Sequence, residues 1–192
     1  MRLLLIGAPG AGKSTQAKLL AARFGIAHIS SGDLLRQHVR ERTSLGRVAE
    51  PYIGRGDLVP DGVVLDMLRE PVVAAAAAGG YVLDGFPRTV EQAAAKYVMA
   101  QPLGVEVRAA VHLNVPREEL VRRLLIRGRG SDDTAAVIQY RLQVFLARTV
   151  PLLRYYAGRE WLVTVDGAQR ADAVHEEIVR RLRRTEVFDR SS

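Results

Sequence analysis

The residues with the clearest chemical purpose stand near the start of the chain, Gly7-Ala8-Pro9-Gly10-Ala11-Gly12-Lys13-Ser14. Their spacing fits G-x-x-x-x-G-K-[ST], a loop that cradles phosphates. Glycines let successive backbone N–H groups turn toward one anion, where a Cβ would clash. A helix starting behind the loop aims its positive end at the same point. Lys13 is placed to reach the outer phosphates of a nucleoside triphosphate, and the Ser14 hydroxyl is suited to ligate Mg2+. Gly10, Ala11, Gly12, Lys13, Ser14 and Thr15 therefore form the expected triphosphate-binding set. A second group follows another apolar run: Asp84-Gly85-Phe86-Pro87-Arg88-Thr89. A carboxylate there suits Mg2+ through its water shell, because this ion gives up water reluctantly. Gly85 permits a ligand to approach the backbone, and Arg88 is suited to bidentate contact with a phosphate.

Both groups need rigid support at one edge of a sheet. Short apolar runs at 2–6, 27–30, 81–83, 109–114 and 161–165 read as strands buried on both faces. Between them, residues 14–24, 32–42, 61–78, 89–97, 117–127, 134–156 and 170–184 read as helices. Pro116 suits a first helical turn, where its missing N–H is not needed. Thr89 reads as an N-cap with Gln92 at capping-box spacing, and Gly79-Gly80 as a left-handed stop after the alanine run at 74–78. The alternation predicts an α/β architecture, a three-layer P-loop fold with a five-stranded parallel sheet. In such sheets the strand ends converge on a ligand crevice, which would bring Asp84 near Lys13 and Ser14.

At 192 residues, with 48% hydrophobic and 26% charged, the chain is long and apolar enough for one cored domain. No cysteine is present, which excludes a disulfide scaffold, a thiolate zinc site and a catalytic thiol together. The apolar run at 3–6 is too short for a secretion or membrane-spanning segment, so a cytoplasmic protein with no membrane partner is expected. A net charge of +7 points to an anionic partner. Only three of the 28 basic residues are lysines, which makes the position of Lys13 informative. His28, His38, His112 and His175 stand at no metal-binding spacing and suggest no general base.

Taken with Ser31-Gly32-Asp33-Leu34-Leu35-Arg36, Gly56-Asp57-Leu58-Val59-Pro60 and Gln92, the two phosphate groups resemble those of adenylate kinases, over residues 1 to about 185. The resemblance implies reversible, Mg2+-dependent transfer of the ATP γ-phosphoryl group to AMP, giving two ADP. It implies a core of 1–29, 60–127 and 134–192, a helical AMP-binding flap of 30–59 and a short lid of 128–133. Ser31, Gly32, Arg36 and Arg88 would hold the AMP phosphate with Gly85, Phe86 and Pro87 beside it. The backbone of Asp57, Leu58 and Val59 would flank the AMP base, and Gln92 would read its edge. Arg123, Arg127 and Gln169 would contact ATP, and Arg129 and Arg141 would span the transferring group and AMP. Lys13, Arg88, Arg123, Arg127 and Arg141 would carry catalysis by charge, with Ser14 and Asp84 (through water) on the metal.

Some positions depart from the family pattern. Ser31 stands where the family often has threonine, and the lid lacks the long cysteine-bearing insertion of zinc-containing members. Arg129 lies three residues before Asp132 rather than two, with Gly130 in the usual place. Asp132 and Asp133 fit either hinge and cap roles or contacts with lid arginines. A UMP/CMP kinase of the same fold is the nearest alternative. A P-loop nucleotide switch or nucleic-acid-binding module is more distant, because aromatics are only 6% and scattered. A monomer with no nucleic-acid partner is the simplest expectation.

Overall fold

The computed structural model describes residues 1–128, 133–158 and 161–185, with only the backbone of Trp161. Among them, five strands form one parallel sheet: β1 (Arg2–Gly7), β2 (Ala27–Ser30), β3 (Tyr81–Asp84), β4 (Ala109–Asn114) and β5 (Trp161–Asp166). Their order across the sheet is β2-β3-β1-β4-β5. The chain leaves β1 toward one edge and later crosses from β3 toward the other. The carboxyl ends of β1 and β3 thus border the crevice where ligands bind in such sheets.

Alternation along β1 builds both halves of the core. Leu3 and Leu5 pack with Ala17 and Leu20 of α1 (Lys13–Phe24) and Ile178 and Leu182 of α9 (Ala171–Arg183). Leu4 and Ile6 face the other way, against Val64 and Leu68 of α4 (Asp61–Ala77) and Ala93 of α5 (Val90–Ala100). All four are 2% exposed or less, and burying each such side chain contributes about 1.5–3 kcal/mol. The three-layer α/β reading therefore holds.

Two local expectations are corrected. The helix read at 134–156 divides into α7 (Ala135–Val144), a π turn at Phe145–Thr149 and α8 (Pro151–Ala157). Val150 N–H donates to Phe145 O at 3.1 Å, one residue beyond α-helical spacing, and Pro151 has no N–H to continue the ladder. The glycine stop expected at Gly79-Gly80 holds: both have positive φ (110° and 135°), Gly80 N–H donates to Ala75 O at 2.9 Å and Gly79 N–H to Ala76 O at 3.4 Å, which closes the end of α4. Gly80 is needed because a Cβ there would come within 1.7 Å of Met1 O. A helix absent from the sequence reading, α3 (Ser44–Arg55), follows α2 (Ser31–Arg40). Gly46, Pro51 and Gly54 interrupt its apolar pattern, yet Thr43 Oγ1 caps it by accepting from Gly46 N–H at 3.0 Å. A Cβ at Gly46 would sit 2.1 Å from His38 O, so glycine is what lets α3 lie against α2.

Candidate functional site

The loop between β1 and α1 turns through Gly10 and Gly12, both at positive φ (85° and 91°). A Cβ on Gly10 would press on Leu120 O and Leu124 Cγ of α6 (Arg117–Arg127), each at 3.0 Å. Lys13 Nζ donates to the carbonyls of Gly7 (2.8 Å) and Ala8 (3.0 Å) at the loop's entrance. Burial pulls the Lys13 pKa down to about 8; Asp84 opposes the shift, while Arg88, Arg141 and Arg127 add to it. Several cations thus crowd one carboxylate, an arrangement that favours a polyanion.

Asp84 ends β3 and is 4% exposed, in register with Leu5 on one side and Ser30 on the other. Its Oδ2 accepts from Ser14 Oγ at 2.5 Å, so the predicted metal-holding pair meets. A hydroxyl and a single carboxylate suit Mg2+, whose other ligands are commonly phosphate oxygens and water. No cluster of three His, Cys, Asp or Glu side chains occurs among the described residues. His28 Nε2 lies 4.0 Å from Asp84 Oδ2, and burial holds the imidazole pKa below its ordinary value.

Arg88 is fixed from three directions. Its Nε donates to Gly85 O (2.7 Å), its backbone N–H donates to Gln92 Oε1 (2.7 Å), and its carbonyl accepts from Thr149 Oγ1 (2.8 Å). The π turn is what carries Thr149 into this position. Burial lowers the Arg88 pKa, and Arg36 acts in the same sense. Gln92 is 2% exposed, and its Nε2 donates to Asp61 Oδ1 at 2.7 Å. Thr89 caps α5 as expected, accepting from Gln92 N–H at 3.1 Å. The Gln92 side chain reaches Arg88 N–H instead of closing a capping box, which fixes the amide and leaves one N–H and one lone pair for a ligand.

Two adjoining cavities open here. The larger, about 420 Å3, is lined by the phosphate loop through Thr15, and by Pro87, Arg123, Arg127, Gly167 and Gln169. The smaller, about 70 Å3, is lined by Ser31, Asp57, Leu58, Val59, Phe86 and Gln92. Gly32, Arg36, Gly85, Arg88 and Arg141 line both. Gly85 has φ 86°, and a Cβ there would sit 2.7 Å from Ser31 Oγ, so glycine keeps the passage open.

The remaining arginines are each held by a specific partner. Arg127 forks onto Asp133 at 2.8 and 2.6 Å, and Arg141 Nη1 reaches the same carboxylate at 3.5 Å. Asp133 is the contact for arginines rather than a helix cap. The cap of α7 is Thr134, whose Oγ1 accepts from Val137 N–H. Arg123 Nε donates to Glu119 Oε1 (2.7 Å), while its Nη1 and Nη2 hold Gly167 O (2.9 Å) and Ala168 O (3.1 Å). Gln169 is exposed on that loop, with Nε2 3.3 Å from Asp166 O. Arg122 is exposed and forks onto Glu119. Arg129, Gly130, Ser131 and Asp132 lie outside the described residues, so the expected lid arginine and most of the lid are not placed.

A family model for adenylate kinase matches residues 5–161. The chain belongs to the adenylate kinase family. It is 48% identical to an adenylate kinase of Mycobacteroides abscessus over 174 residues, 91% of this chain and 94% of that protein. It is 45% identical to adenylate kinase 1 of a Nostoc species, over 92% of this chain and 96% of that protein. An adenylate kinase of Nocardia farcinica is 45% identical, and its whole length matches 96% of this chain. Membership makes the chain a phosphotransferase, and its substrates adenine nucleotides. No helix among the described residues is long and apolar enough to cross a membrane.

Proposed function

We propose that the larger cavity takes Mg·ATP, the smaller takes AMP, and the γ-phosphoryl group passes between them beside Arg88 and Arg141. The observation that carries this reading is the pair of cavities sharing those two guanidinium walls. An AMP phosphate oxygen attacks the γ-phosphorus, the bond from that phosphorus to the β,γ-bridging oxygen breaks, and both products are ADP. The nucleophile is already an anion, so no side chain has to remove a proton.

Lys13, Arg88, Arg123, Arg127 and Arg141 then act by alignment and charge neutralisation. Gly10, Ala11, Gly12, Ser14 and Thr15 hold the ATP phosphates, and Gln169 lies beside the ATP base. Ser31, Gly32, Arg36, Gly85, Phe86 and Pro87 surround the AMP phosphate, with Asp57, Leu58, Val59 and Gln92 around the AMP base. Ser14 and, through water, Asp84 would hold Mg2+, which supplies neutralisation of phosphate charge. On this reading residues 30–59 are a closing flap and 128–133 a short lid that includes Arg129. The enzyme works as a cytoplasmic monomer, free of nucleic acid and membrane. Incubation with Mg·ATP and each nucleoside monophosphate in turn, measuring diphosphate formed, tests the acceptor assignment. AMP is expected to turn over fastest, and faster turnover of UMP or CMP would overturn it.

A further inference from the structure

Tyr140 precedes Arg141 on α7, and its hydroxyl donates to Asp57 Oδ1 at 2.7 Å, across 83 residues of sequence. The other Asp57 oxygen accepts from Arg55 Nε at 2.9 Å, and the Arg55 guanidinium lies over the Tyr52 ring, 5.3 Å from its centre. The carboxylate is thereby oriented from the α3 side before the phenol reaches it. Backbone packing supports the same contact. A Cβ on Gly56, at φ 77°, would come within 3.0 Å of Arg141 Cγ and 3.4 Å of Val137 Cγ1, so the bare glycine lets α7 lie close against this loop.

The two ends of the contact belong to different parts of the site. Asp57 opens the 57–59 segment on the smaller cavity, while Arg141 faces both cavities. We propose that Tyr140 is a positioning residue, tying the acceptor-base loop to the helix that carries Arg141, so that the loop is held in place before an acceptor binds. The inference rests on the reading of the smaller cavity as the acceptor site. Tyr140 touches neither substrate in this account and acts through Asp57.

The hydroxyl is open to solvent, Tyr140 being 43% exposed. Loss of one such hydrogen bond changes an equilibrium by a factor of about 3–10. Steady-state kinetics of Tyr140→Phe in the full chain should therefore show KM for AMP raised about 3–10-fold, with KM for Mg·ATP and kcat within about twofold. Asp57→Ala should match Tyr140→Phe, and the double variant should be no worse than Asp57→Ala alone.

Arg36→Ala, at a half-buried guanidinium proposed to hold the AMP phosphate, serves as the marker for the acceptor site. Unchanged KM for AMP in Tyr140→Phe, while Arg36→Ala raises it, overturns the tie and leaves the site reading standing. An Arg36→Ala enzyme with normal KM for AMP overturns the site reading itself. Equal rises in both KM values, or a fall in kcat alone, would make Tyr140 a general structural residue and overturn its positioning role.

Discussion

Asp133 offers a sharp test of how the arginines are held. Its side chain is fully buried, while Arg127 and Arg141, which it gathers, remain 30% and 21% exposed. Asp133→Asn keeps the shape and one acceptor oxygen but removes the charge and the fork to Arg127. Breaking one side of a buried ion pair costs about 3–5 kcal/mol when the stranded charge cannot reach water. Here both guanidinia can turn toward solvent, so a loss of about 2 kcal/mol is expected. Spent on transition-state alignment, that is about a 30-fold fall in kcat/KM for Mg·ATP. Steady-state assay at saturating AMP measures it, with urea unfolding in parallel to show how much of the same energy appears as lost stability. An Asp133→Asn enzyme within threefold of the parent in kcat/KM, and equally resistant to urea, would refute the claim that this carboxylate organises the two arginines.

Two further outcomes follow from the same geometry. Arg88→Ala should lower kcat about 1,000-fold, in the range found for a lost phosphoryl-transfer arginine. Its stability loss should be only about 1 kcal/mol, from the bond to Gly85 O. Near-normal turnover would remove Arg88 from the reaction centre. Lys13, with its pKa drawn from 10.5 to about 8, binds fewer protons in the folded protein than in the unfolded chain between those values. Stability from this group therefore rises with pH across that window. A bound polyphosphate restores the charged form, so calorimetry in buffers of different ionisation enthalpy should register uptake of about half a proton at pH 8 and almost none at pH 6. Equal uptake at both would contradict the crowded-cation picture.

Features whose cause is local were legible in the residues. The glycines of 7–12 announce a phosphate loop because few other backbones tolerate that path. Asp84 is legible because a strand end in a parallel sheet has a fixed address. Thr89 shows its capping role three residues ahead of Gln92. Features caused by meetings between distant segments were not legible. Asp133 fits a hinge, a cap or an arginine contact equally well until α6 and α7 bring two arginines to it. Thr149 reaches Arg88 O from a π turn just before Pro151, a wider turn that no local residue pattern announces. Gly80 reads as a helix stop and serves as one, yet the carbonyl of Met1, just before the neighbouring strand β1, also demands glycine there. The pattern of α3 is hidden by Gly46, whose missing side chain serves the neighbouring helix.

The proposed reaction needs two phosphorylated nucleosides side by side between shared arginines. Titration with a single molecule of two adenosines joined by five phosphates measures that directly. One molecule should bind per chain and compete with both ATP and AMP in steady-state kinetics. Competition with ATP alone, or two molecules bound per chain, would contradict it.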